Sequence, residues 1–158
     1  MSFLEGFTGT LAIPLWAKEI QQAGGAALMI DNLGFVYANE AGCSSDEYIW
    51  TLSKCVATLA EGLGVQIKVF HTSRRTSLGD KIADDLSKGK VDLVKPLVET
   101  DVSHRISKVL MAWLKEPRVS MELGRDVLME LKARKDLNVH VGFCYTTAAM
   151  EMGVLDGH

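Results

Sequence analysis

Four groups of side chains in this chain have the chemical reach to do work. Asp31 and Asn32 follow directly on the apolar run Ala26-Ala27-Leu28-Met29-Ile30. A carboxylate at the C-terminal end of a buried strand sits where α/β folds place functional groups, on rigid backbone beside a turn that opens to solvent. Asp84 and Asp85 form the second group, within Ile82-Ala83-Asp84-Asp85-Leu86-Ser87-Lys88-Gly89. Neighbours on a helix are about 100° apart, so only one of these two acids faces a given site. Glu5 is the third, beside Leu4 and between Phe3 and Phe7. The fourth is basic: His71, Arg74 and Arg75, with Lys68 just upstream, a patch of the kind that holds phosphates. Each group also has a plain structural use. Asp and Asn form turns and cap helices, and acids in a first helical turn are favoured by the helix dipole. A lone Glu beside an apolar stripe, or a short basic loop, is ordinarily a solvated surface feature.

The elements that carry these groups read in order. Phe3, Phe7, Leu11 and Leu15 recur every four residues and predict a helix over 3–21, with Pro14 kinking it or ending its first half. Gly24-Gly25 stops it, and residues 26–30 predict a buried, central strand. Residues 35–38 fit either a strand or a short helix. Ser44 and Glu47 have the spacing of a capping box, opening a helix with the stripe Tyr48, Leu52, Cys55, Val56, Leu59, Leu63. Gly62 and Gly64 mark its end. Val65, Ile67 and Val69 alternate along a second strand, followed by the basic loop 71–79 and a short helix over 80–88. Beyond Gly89 the pattern becomes helix upon helix, over 97–115 and 119–135, then a strand over 138–144 and a short helix over 146–155. The best boundary lies at Gly89–Asp92, giving a core of residues 1–90 and an extension of residues 91–158.

Composition bounds the function. The 158 residues make about one domain, and 47% hydrophobic with 23% charged residues suit an ordinary globular core. Residues 1–64 hold two basic and seven acidic residues and the remainder fifteen and thirteen, so the totals do not describe a strongly basic nucleic-acid binder. Three cysteines without CxxC spacing speak against a disulfide scaffold or zinc site and for free thiols in a reducing compartment. No apolar run spans a bilayer, and residues 1–9 lack the basic start of a secretory signal. The expectation is an intracellular protein, cytoplasmic or nuclear, with no membrane partner. No GxGxxG or GxxxxGK[ST] loop supports a doubly wound nucleotide-binding domain, since Gly62-Leu63-Gly64 precedes a strand.

The order of these features resembles a known family. A Glu on the first helix, Asp-Asn after a strand, a polar loop and Ala83-Asp84-Asp85-Leu86-Ser87-Lys88-Gly89 look like the later part of a ribonuclease H-like domain of retroelement reverse-transcriptase polyproteins. The resemblance covers roughly residues 1–90, and its last motif is the most specific part. It implies an α/β fold with a mixed sheet and flanking helices, and cleavage of the RNA strand in RNA–DNA hybrids. Glu5, Asp31 and Asp84 would be the catalytic metal ligands, and Asn32, His71, Arg74 and Arg75 the nucleic-acid contacts. Two Mg²⁺ ions would activate a water and stabilise the leaving oxygen, held by carboxylates because Mg²⁺ prefers hard oxygen ligands. Asp31 and Asp84 are expected to converge, with Glu5 nearby and Asp85 pointing away.

The family also has a three-stranded meander whose first strand carries a further Asp, whereas this sequence opens in the first helix. The expectation is therefore a core truncated at its N-terminus, weak metal binding, and little or no catalysis. Residues 91–158 resemble no family we can name. Their apolar stripes are expected to pack on the sheet or to build an interface between two copies of the chain. The alternative from another class is a non-catalytic binding protein, homodimeric, on a relic nuclease fold.

Overall fold

A computed structural model describes residues 2–72, 101–116 and 122–141. Two helices open the chain, α1 (Ser2–Leu15) and α2 (Ala17–Ala23). The break follows Pro14, as its missing N–H predicts. Gly24 ends α2 at φ +78°, a left-handed conformation that favours glycine, and its N–H bonds back to the last turn.

Strand β1 (Gly25–Ile30) pairs in parallel with β2 (Gln66–His71), in register from Gly25 with Gln66 to Ile30 with His71. Parallel strands need a crossover. Here it is two helices, α3 (Leu33–Ala41) and α4 (Glu47–Leu63). The ambiguous residues 35–38 are helical because Asn32 caps them: its side-chain oxygen accepts the Phe35 N–H at 2.9 Å. The cap of α4 is Asp46 rather than Ser44. The Asp46 carboxylate accepts the N–H groups of Tyr48 and Ile49, while the Ser44 hydroxyl accepts the Asp46 N–H one step earlier. Tyr48, expected in the buried stripe, is exposed beside that cap.

The sheet is less buried than the apolar run predicts. Ala26, Leu28, Ile30, Ile67 and Val69 face the core, but Met29 is 59% and Phe70 41% exposed on the other face. Among the described residues the sheet has two strands, and α1 to α4 pack against it, which leaves one face open. The period-two alternation of a strand makes that division strict.

The extension supplies α5 (Asp101–Lys115) and α6 (Leu123–Leu131). Among the described residues their main contacts are with α4 and α1 rather than with the sheet. Leu123, Val127, Leu128 and Leu131 join Leu52, Leu59 and Phe35 in one continuous core. Trp113 of α5 reaches α1, its ring stacked on Phe7 (interplanar angle 7°, centroids 6.5 Å apart) and close to Phe3. Two glycines let α4 and α6 approach. A Cβ on Gly124 would lie 2.6 Å from Thr58 Cβ, and one on Gly62 would meet Leu128 and the His140 carbonyl.

The strand expected over 138–144 is absent from its described part, residues 138–141. Their backbone is held otherwise: the His140 N–H bonds the Gly62 carbonyl, and Gln21 both accepts the Asn138 N–H and donates to the carbonyls of Asn138 and Leu63. Among the described residues no helix is long and apolar enough to cross a membrane.

Candidate functional site

Parallel pairing brings the C-terminal ends of β1 and β2 to one edge, and Asp31 and Asn32 gather there with Glu5 and His71. Ile30 is the register partner of His71, so Asp31 and His71 leave the sheet side by side. His71 Nε2 lies 3.5 Å from Asp31 Oδ1, and both side chains are partly exposed. The ladder continues one residue further, where the Thr72 N–H bonds the Ile30 carbonyl at 3.2 Å and Thr72 itself is buried.

Asn32 links this edge to α1. Its oxygen caps α3, and its amide nitrogen donates to Glu5 Oε2 at 3.3 Å. Asn32 is buried, so the two halves of one amide fix the start of α3 and the Glu5 carboxylate together. Glu5 is half-buried on the face of α1 that turns toward the core. The edge thus joins two carboxylates, an imidazole and a buried amide, from α1, β1 and β2. Such a set can attract a cation or hold a hydroxyl or phosphate oxygen.

The sequence-predicted residues divide accordingly. Glu5, Asp31, Asn32 and His71 come to one edge. Lys68 does not join His71 in a basic patch: the strand's alternation turns it to the open sheet face, with its ammonium 5.5 Å from the Phe70 ring centroid. Arg74, Arg75, Asp84 and Asp85, with the motif 83–89, lie outside the described residues, as does the expected convergence of Asp31 with Asp84. Among the described residues no group of three or more His, Cys, Asp or Glu side chains is disposed to hold a metal ion.

Sequence reasoning missed two features. Thr72 carries no motif, and its burial follows from the ladder running past the strand. The link from Asn32 to Glu5 joins residues 27 positions apart, and its only sequence signal is the order of helix and strand. The cysteines are not part of this edge. Cys55 is buried in α4, where loss of solvation, aided by the Asp126 charge, pushes its thiol far above the ordinary range. Cys43 is exposed, and Cys144 lies outside the described residues.

Comparisons with protein-family models, curated proteins and solved structures give no significant match to this chain. The geometry and the sequence therefore carry the functional argument.

Proposed function

We propose that the chain derives from a ribonuclease H-like domain of retroelement origin, whose ancestral reaction is metal-dependent hydrolysis of RNA in RNA–DNA hybrids. Cleavage by residues 1–158 alone is weak or absent. One observation carries the reading: Glu5 on the first helix is hydrogen-bonded to Asn32, and Asp31 and His71 end two parallel strands joined by a helical crossover. That is the order of acid, Asp-Asn pair and polar loop on which the family resemblance rests.

In this reading Glu5, Asp31 and Asp84 are the Mg²⁺ ligands. Mg²⁺, when bound, supplies an activated water and charge stabilisation at the leaving oxygen. Asn32 orients the Glu5 carboxylate through its amide, which is a positioning role. His71, Arg74 and Arg75 meet the sugar–phosphate backbone. Two described carboxylates fall short of the ligand set that two-metal hydrolysis needs, so the expected rate is low; each lost 1.36 kcal/mol of transition-state stabilisation is about tenfold.

The test is an assay of the full chain on an RNA–DNA hybrid with a labelled RNA strand, in millimolar Mg²⁺. The expected result is retention of the hybrid with cleavage near background. Robust cleavage abolished by Asp31→Asn would support the ancestry and overturn the weak activity. Failure to retain the hybrid would count against the whole reading.

One observation favours a second reading, a non-catalytic and homodimeric binding protein. The open sheet face carries Met29 and Phe70 side by side in register. Sizing the full chain against Met29→Lys tests it: a dimer that the substitution dissociates supports this reading, and a monomer in both overturns it.

A further inference from the structure

Strand β2 has a lateral edge that no described strand pairs with. Among the described residues its partner in the sheet is β1 alone. The Thr72 N–H bonds the Ile30 carbonyl, so Thr72 turns its main chain toward β1. Main-chain direction alternates along a strand as side chains do. Lys68 and Phe70 therefore also turn their N–H and C=O groups toward β1, and Ile67 and Val69 turn theirs the other way, to the lateral edge.

A cleft of about 270 Å³ runs beside this edge, between β2, the C-terminal half of α3 and the middle of α4. Ile67, Lys68 and Val69 line it, and β1 contributes no residue. The Lys68 side chain stands on the open sheet face with that of Phe70, so it is the main chain of β2 that borders the cleft at Lys68. The wall on α4 is aliphatic, made by Val56, Ala57 and Ala60. Besides Lys68, the ionic residues of the lining are Glu40 and Lys54, which are of opposite sign.

We infer that the lateral edge of β2 takes an extended peptide as an added antiparallel strand, with an acidic residue opposite Lys68 and an apolar residue on each side of it. Main-chain groups presented every second residue are matched by another strand and not by a compact ligand. A strand edge without a partner is a template for such pairing. Charge complementarity sets the central residue. Lys68 is exposed and is the one ionic side chain that β1 and β2 place on the open face. Its main chain bonds β1, so its opposite number in an added strand is a non-hydrogen-bonded pair, where side chains come closest. Opposite charges at such a position stabilise the pairing. The flanking residues lie opposite Ile67 and Val69 and share their face, over the cleft. A cavity of about 150 Å³ holds a benzene, so the cleft has room for aliphatic side chains. A second copy of β2 is the poorer occupant, since that strand has no acidic residue to set opposite Lys68. The inference uses none of Glu5, Asp31, Asn32 and His71 and is independent of the nuclease reading.

The experiment is an amide NMR titration of the full chain with capped pentapeptides, followed by hydrogen exchange. The peptide Thr-Val-Glu-Val-Thr is expected to give saturable shifts at residues 53–60 and 66–71. It slows exchange of the Ile67 and Val69 amides more than that of Lys68 and Phe70, which are already bonded to β1. Methylating the main-chain nitrogens of both valines removes the donors and weakens binding about tenfold or more. Thr-Val-Lys-Val-Thr binds about threefold more weakly than the glutamate peptide, the scale of one cross-strand charge pair, and Lys68→Glu reverses that order. No saturable shift at the edge, undiminished binding of the methylated peptide, or an unchanged order of the two peptides in Lys68→Glu would each overturn the inference. Self-association through residues 66–71 that the glutamate peptide does not displace would also overturn it, in favour of a second copy.

Discussion

The contact of α4 with α6 and the strand-end edge of the sheet are built on different principles. Helix α4 is buried almost all round because it has the sheet on one side and α6 on the other. Its specification is volumetric: Gly62 and Gly124 leave room for Leu128 and Thr58, and Leu52 and Leu59 are fully buried. The strand-end edge is specified by hydrogen bonds instead. Asn32 caps α3 and donates to Glu5, and Asp31 stands beside His71. The closely packed contact and the hydrogen-bonded polar edge are therefore separate regions of the molecule. Substitutions in the first should act through packing, and in the second through individual polar contacts.

The largest expected effect is at the helix contact. Gly124→Ala puts a methyl 2.6 Å from Thr58 Cβ. Overpacking of this kind costs about 1–3 kcal/mol, which outweighs the helix-propensity gain of at most about 1 kcal/mol. The urea midpoint falls with an unchanged slope. Thr58→Ala in the same chain restores only part of the loss, because it removes Thr58 Cγ2, 2.7 Å from the new methyl, and keeps the Cβ at 2.6 Å. A Gly124→Ala midpoint equal to that of the parent would mean the two helices are not in this contact.

A smaller loss is expected at the edge. Asn32→Ala removes the cap of α3 and the donor to Glu5, and losing the cap alone costs about 1 kcal/mol. Asn32→Ser keeps a capping oxygen and gives up the amide donor, so it recovers more than half of that loss in thermal or urea unfolding. Equal losses in the two variants would assign the stabilisation to the Glu5 contact and not to the cap.

The smallest effect lies on the surface. Arg134 donates two hydrogen bonds to Asp136, which holds that carboxyl below the ordinary aspartate range, with a lesser pull from Lys18. A carboxylate depressed in the folded state contributes stability that is present above its unfolded pKa and lost as pH falls through its folded pKa. Asp136 is exposed, so solvent screens most of that contribution. Carboxyl NMR titration of Arg134→Gln is expected to move Asp136 up toward the ordinary value. An unmoved titration would mean the pair is not formed in solution.

The legible and illegible parts of the fold follow the same division. Periodicity gave the helices at both ends, the break at Pro14 and the alternation of Val65, Ile67 and Val69, because each depends on neighbours a few residues away. The openness of one sheet face was not legible, since an apolar run such as Ala26 to Ile30 reads alike whether one face or both are covered. The cap on α4 was misplaced by two residues because Ser44 and Asp46 compete for the same role, and the longer reach of the Asp46 carboxylate to two N–H groups decides it. The extension was legible as apolar helices, but not its target, because nothing local marks Gly62 and Gly124 as a contact. At the edge, Glu5, Asp31 and Asn32 were legible from their order along the chain. The position of His71 against Asp31 was not, because it depends on the register of two strands 41 residues apart.

The proposed role of Glu5, Asp31 and Asp84 as ligands for a divalent cation is tested most directly by paramagnetic broadening of amide signals on titration of the full chain with Mn²⁺. The account predicts saturable broadening confined to residues around Glu5, Asp31 and Asp84, weakened by competing Mg²⁺ and lost in Asp31→Asn while the rest of the spectrum is unchanged. Broadening that is scattered over the acidic surface, or that persists undiminished in Asp31→Asn, would contradict it.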